Sequence, residues 1–258
     1  VRGSPYAVIV CDLFNRHEPD HEVAVLGFPS RELAVEYARR RTWSSVEQMR
    51  EPGLSREEVR RRWQALGEDC RVVGPEGVIY VASAELDRFL EHPIPPERRD
   101  WAGLYRSLLP DDFALTYEWA AGSVPPPHHD EYTIVVEPPD RGHLLFWPDY
   151  PSERVEPWTA DFYPDLTARI LLHNWAQATG LFDRAQAPPA APGIGGETGR
   201  LDVVAAGRRA RLAVHLLPEE ERTALHRLIR SLVPGLIWAE METRRRRYIE
   251  TTYPDEGA

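Results

Sequence analysis

The chain has 258 residues, 42% of them hydrophobic and 28% charged, which is enough to bury a core without covalent staples and excludes a rod or a fully disordered chain. Its formal net charge of −10 argues against nucleic acid as a partner, because binders of phosphate backbones carry a basic footprint. All 31 basic residues are arginine, which excludes a P-loop, a pyridoxal phosphate Schiff base and a kinase-type phosphate clamp, each of which needs a lysine amine.

Residues 6–14 and 22–28 are β-branched and apolar, so they read as two strands joined by the polar stretch 15–21. Ser30 is placed to cap a helix running to about residue 42. Ser55 and Glu58 have capping-box spacing before a helix lined by Val59, Trp63 and Leu66 and ended by Gly67. A second hairpin is predicted at 71–82, turning on Gly74-Pro75-Glu76-Gly77, and Ser83 opens a short helix carrying Leu86, Phe89 and Leu90. Residues 92–100 are rich in proline and charge. They place a connector at 96–112, between a small α+β module at 1–95 and a second domain at 113–258.

The second domain reads as a meander of strands near 113–120, 131–137 and 142–147, then a helix at about 165–179 ended by Gly180. A low-complexity loop follows at 185–196, then strands at 200–206 and 209–215 and helices at about 218–232 and 235–249. Hairpin and helix occur twice, leading to Gly180-Leu181-Phe182 and to Gly235-Leu236-Ile237, the pattern of a duplicated β-β-α unit. The predicted class is α+β: two small domains, each of antiparallel hairpins or a meander packed with helices. No stretch approaches the roughly 18 apolar residues of a membrane span. Two cysteines are too few for a disulfide framework, so both read as reduced thiols of a cytoplasmic protein, with Cys11 a buried packing residue.

Five groups of residues are candidate sites. His17-Glu18-Pro19-Asp20-His21 satisfies H-E-x-x-H, in which two imidazoles on one helical face hold zinc and the glutamate activates water. The motif falls between two predicted strands, and Pro19 resists a helix interior, so a polar hairpin loop is the competing reading. His128-His129-Asp130-Glu131, with His143 across a hairpin, carries ligand-type side chains, but neighbours on a strand point to opposite faces and the pattern fits the polar start of a strand. Gly193, Gly195, Gly196 and Gly199 miss the dinucleotide spacing, because Thr198 stands at the third glycine position. Arg244 to Arg247 follow Glu240 and Glu242 at helical pairing distance and read as a solvated face. Tyr117, Trp119, Trp147, Tyr150 and Trp158, interleaved with Pro125–Pro127, Pro148, Pro151 and Pro157, form either a rigid recognition surface or the cover of the meander.

Tyr6-Ala7-Val8-Ile9-Val10-Cys11-Asp12-Leu13-Phe14, the second strand, the helix from Ser30 and Pro52 to Glu58 leading to Gly67-Glu68-Asp69 resemble a small uncharacterised α/β domain found in many bacterial proteins. The resemblance covers residues 6–91 and implies no activity. The pattern of Leu171–Phe182, Leu201–Val204, Arg211–Val214 and a closing helix is similar to the emfourins, bacterial inhibitors of thermolysin-like metalloproteases. The function expected from the sequence is a non-catalytic bacterial protein that binds a protein or peptide through its tryptophan and proline surface. No cofactor, nucleic acid or membrane partner is implied. The alternatives are a zinc-dependent hydrolase built on His17, Glu18 and His21, and an emfourin-like inhibitor.

Overall fold

The computed structural model describes residues 3–18, 20–183 and 196–254, which leaves Pro19, Gly193, Gly195 and nearly all of the low-complexity loop outside the described residues. The chain divides into two units, Val1–Leu108 and Leu109–Ala258.

In the first unit, strands β1 (Tyr6–Asp12) and β2 (Glu22–Phe28) precede helices α1 (Arg31–Gln48) and α2 (Arg56–Leu66). Strands β3 (Glu68–Gly74) and β4 (Gly77–Val81) and helices α3 (Leu86–Glu91) and α4 (Trp101–Arg106) follow. The four strands form one antiparallel sheet in the order β2-β1-β3-β4. The two-residue period of a strand sends Val8, Val10, Cys70 and Val72 to one face, where all four are buried and α1 packs on β1 and β3. Burial pushes the Cys70 thiol up to about 12. Cys11 is not the buried residue its apolar run suggested. It lies one step out of phase with Val10 and is only half-buried, while Cys70 takes the packing role.

Helix α1 starts where expected, with the Ser30 hydroxyl accepting from Leu33 N at 3.3 Å, but it runs well past residue 42. Thr42, Ser44 and Ser45 are weak helix formers. Tertiary packing overrides them: Trp43 and Val46 join Val59, Trp63, Leu86 and Phe89 in one buried cluster. Ser45 then uses its hydroxyl to accept from Glu68 N at 2.8 Å. The capping box of α2 is present in both directions, Glu58 N to the Ser55 hydroxyl at 3.3 Å and Ser55 N to the Glu58 carboxylate at 2.8 Å. Gly67 closes α2 against Trp63, where a Cβ would stand 2.4 Å from the indole.

The expected connector is partly folded. Asp100 caps α4 by accepting from Gly103 N at 2.7 Å. Trp101 meets the edge of Tyr37 at 5.8 Å with the Arg41 guanidinium 4.5 Å over its ring, and the Tyr105 hydroxyl donates to Leu26 O at 2.7 Å. These aromatic anchors attach residues 101–106 to the first unit, so the division falls after Leu108.

The second unit holds a six-stranded antiparallel sheet. Strands β5 (Ala114–Ala120), β6 (Glu131–Glu137) and β7 (Arg141–Trp147) make the meander, and β8 (Trp158–Phe162) extends it before helix α5 (Leu166–Ala178). Strands β9 (Thr198–Ala205) and β10 (Arg208–Ala213) precede helices α6 (Glu219–Arg230) and α7 (Gly235–Thr252). The strand order is β10-β9-β5-β6-β7-β8, so the two hairpin–helix segments flank a shared centre. Leu115, Tyr117, Tyr132, Ile134, Leu144 and Leu201 fill the covered face.

Asp165 caps α5 by accepting from Ala168 N at 2.7 Å. Buried Arg169 then donates to Pro139 O and to the Asp140 carboxylate, both at 2.7 Å, and fixes the helix to the β6–β7 turn. Gly142 faces Phe162 across β7 and β8, and a Cβ there would stand 2.3 Å from the ring. Phe162 thus occupies the space over Gly142 and seats β8 on the sheet. Among the described residues, no helix is long and apolar enough to cross a membrane.

Candidate functional site

A surface groove lies within the second unit. It has a volume of about 580 Å³ and lies between the 148–157 loop, the start of β8 and α7. Pro148 and Pro157 wall it, Trp158 and Tyr248 supply aromatic surface, and Arg154 and Arg244 with Glu153 and Glu156 supply charge of both signs. The volume lies within the roughly 300–1000 Å³ of small-ligand sites.

Each wall is held in place. Asp149 is 6% exposed, and its carboxylate accepts from Tyr150 N at 2.6 Å and from the Tyr253 hydroxyl at 2.5 Å, which fastens the loop to the end of α7. That hydrogen bond pushes the Tyr253 phenol up. The Tyr150 ring stacks on His129 at 3.5 Å and its hydroxyl donates to Val124 O at 2.8 Å. Trp158 stacks on Phe146 at 5.7 Å, turns an edge-on contact toward Tyr248 at 6.3 Å, and carries the Arg244 guanidinium 4.6 Å over its ring. Such a cation–π contact holds an arginine against an aromatic floor, and one Arg244 nitrogen also lies 3.8 Å from the Glu240 carboxylate one turn back on α7.

The five aromatic residues expected on one surface are separated by the sheet. Tyr117 is fully buried, so its assignment to a binding surface is corrected. Trp119, on the same strand face, stacks on Tyr132 at 5.0 Å and belongs to the packing beneath the helices. Trp147 is one step out of phase with Phe146 and lies on the opposite face of the sheet. Tyr150 braces the loop, and Trp158 alone of the five lines the groove. Arg244 and Tyr248, one turn apart on α7, complete it, and the sequence reading did not single out either as a partner of Trp158. The signal available was their four-residue spacing, which puts both on one helical face.

The arginine run is also divided by the helix. Arg245 reaches the Asp130 carboxylate at 3.4 Å and donates to His129 O at 3.2 Å, while Arg246 and Arg247 are exposed. His129 is 2% exposed, with Nδ1 2.8 Å from Gly122 O and Nε2 2.9 Å from the Glu131 carboxylate. His143 lies four residues along the sheet, paired with Asp161 at 2.6 Å, so the histidine cluster does not converge. Residues 13–18 form bends and turns, with His17 and Glu18 exposed. The helix that H-E-x-x-H chemistry requires is not formed, and His17 and His21 share no helical face.

A second aromatic group lies beneath α6. His226 has Nε2 3.0 Å from the Tyr132 hydroxyl and Nδ1 3.5 Å from that of Tyr117, with Trp119 edge-on at 5.7 Å. Burial, and then the positive charge of Arg230, hold the His226 imidazole below its ordinary pKa, opposed by Glu197. An unfolded histidine titrates near 6.5, so on acidification the unfolded chain takes up this proton first. The contribution to stability is therefore complete above about pH 6.5 and declines as the pH falls below it. We expect the melting temperature to drop between about pH 6.5 and 5, and His226→Gln to flatten that slope. Parallel slopes in the two proteins would contradict this assignment.

The open face of the sheet carries charge of both signs. Asp202 accepts from Arg209 at 2.6 Å and from Arg211 at 3.0 Å, and these hydrogen bonds hold its carboxyl below the usual range. Arg200 pairs with Glu118 at 2.6 Å. No protein-family model matches the chain, and no curated protein matches it.

Proposed function

We propose that the second unit is a peptide-recognition module, and that the groove floored by Trp158 receives an extended segment of a partner protein. The observation that carries this reading is the groove itself. A tryptophan face lies between two prolines and an α-helix, with Arg154 and Arg244 at its sides and Glu153 and Glu156 beside them. Prolines hold such a wall with little conformational freedom to lose on binding, and tryptophan and arginine are the residues that most often dominate binding energy. An apolar or proline side chain of the partner would lie on Trp158, and a neighbouring carboxylate would meet the two guanidinium groups. The two free thiols, Cys11 and Cys70, support a reducing, cytoplasmic setting for this role.

Selection of peptides from a displayed library on the immobilised protein tests the reading. Enriched peptides are expected to combine proline or an aromatic residue with an acidic one. Trp158→Ala should weaken their binding by about 2 kcal/mol, or roughly thirtyfold. Arg154→Ala, on the exposed loop, should weaken acidic peptides by about tenfold without affecting the fold. Peptides that bind both variants as tightly as the parent protein would overturn the proposal, and so would a library from which nothing is enriched.

A further inference from the structure

The hairpin of the first unit gathers three ligand-type side chains that the H-E-x-x-H pattern did not contain as a set. Cys11 on β1 and Glu22 on β2 are direct partners across the antiparallel pair. Direct partners project from the same face, with Cβ atoms about 4.5–5.5 Å apart. That face is the one turned away from α1, because Val8 and Val10 occupy the other. His21 precedes Glu22 where the loop rejoins the sheet, and its carbonyl accepts from Asp12 N at 2.9 Å. The Cys11 sulfur, a His21 ring nitrogen and a Glu22 oxygen all lie within 4.8 Å of one another.

Two contacts around the trio point the donors inward. His21 Nδ1 is 2.6 Å from Glu18 O. A carbonyl only accepts, so Nδ1 carries a proton, and in the neutral ring the lone pair is on Nε2. Nε2 is 3.6 Å from Glu22 Oε1. In the neutral ring, then, two acceptor atoms face each other, an arrangement that a cation between them satisfies. The other oxygen of Glu22 accepts from Arg71 at 2.6 Å, which fixes the carboxylate plane. Backbone and side-chain partners of this kind orient the ligands of metal sites. A thiolate, an imidazole and a carboxylate together suit zinc above calcium or magnesium. Around tetrahedral zinc, with bonds of about 2.0–2.3 Å, donors stand about 3.5 Å apart, so modest side-chain rotation closes the trio.

We propose that Cys11, His21 and Glu22 form a zinc site at the loop end of the β1–β2 hairpin, with three protein donors and a fourth position for water. His17 takes no part in it. The site lies in the first unit and does not depend on the peptide groove of the second.

The full chain, freed of any tag and stripped with chelator, would be titrated with cobalt(II) under reducing conditions. One equivalent is expected to bind with a thiolate-to-cobalt absorption band, and zinc should displace it. Cys11→Ser should remove the band. His21→Ala and Glu22→Gln should each weaken zinc by about tenfold or more, and His17→Ala should leave it unchanged. A wild-type readout guards against a misfolded variant. Zinc should slow alkylation of Cys11 by about tenfold, measured by peptide mass spectrometry, with buried Cys70 as the internal reference. A band that persists in Cys11→Ser, a His17→Ala protein as impaired as His21→Ala, or alkylation unaffected by zinc would each overturn the proposal. Absence of saturable cobalt binding would leave His21 and Glu22 as an ion pair only, and would overturn it too.

Discussion

Replacing Phe89 with alanine should cost the first unit about 3–5 kcal/mol, a large share of the roughly 5–15 kcal/mol that keeps a domain folded. The ring is fully buried and stacks on Trp43 at 4.8 Å, with Val46, Val59 and Trp63 in the same cluster. Collapse around the deletion is opposed by Arg50, which donates to Phe89 O at 2.7 Å and Leu90 O at 2.9 Å and holds the backbone of α3 in place. A cavity that cannot close places the cost at the upper end of the range. Urea unfolding reports the loss. Hydrogen exchange should accelerate in residues 31–91 while α5 and α6 keep their protection. A loss below about 1 kcal/mol would mean that α3 is held mainly by its backbone contacts.

Two substitutions at Tyr132 should separate packing from hydrogen bonding. The residue is 1% exposed, stacked on Trp119 at 5.0 Å and edge-on to Trp238 at 5.1 Å. Tyr132→Ala removes the centre of this aromatic group and should cost about 3–5 kcal/mol. Tyr132→Phe keeps the ring and removes only the hydroxyl beside His226, leaving a half-buried imidazole nitrogen without that partner, which should cost about 1 kcal/mol. Thermal unfolding of the two variants side by side measures the split. Equal losses would mean that the hydroxyl contact, and not the ring, holds α6 on the sheet.

Periodicity and capping residues were sufficient to read most of the elements. Ser55 with Glu58, and the alternation of Leu115, Tyr117 and Trp119, mark a helix start and a covered strand face without any tertiary information. What the sequence hid depends on contacts between distant segments. Strand β8 follows Pro157, and its short run Trp158-Thr159-Ala160-Asp161-Phe162 shows weak alternation. It is a strand because Phe162 seats over Gly142. The folded part of the connector was missed because Trp101 and Tyr105 find their partners on α1 and at β2, far back in the chain. Cys11 was misplaced because an apolar strand does not reveal that helices cover only one side of its sheet. The same alternation that puts Tyr117 inside already separated Trp147 from Phe146, so that part of the aromatic surface was readable as two faces. Pairing of Trp158 with Arg244 and Tyr248 was not, since nothing local joins a loop at 148–157 to the last helix.

Strand β5 lies between β6 and β9, and the two sides of that position are filled at different stages of synthesis. Its meander partner β6 emerges soon after it. The other partner is far away in the chain: Glu118 and Arg200, which pair across β5 and β9, are 82 positions apart. Until β9 leaves the ribosome, β5 is an edge strand with unsatisfied amides and carbonyls beside Leu115, Tyr117 and Trp119. Such an edge is a template for pairing with another nascent chain. Slower translation between residues 120 and 198 would lengthen that exposure, so the yield of folded protein should depend on how quickly the ribosome crosses this interval.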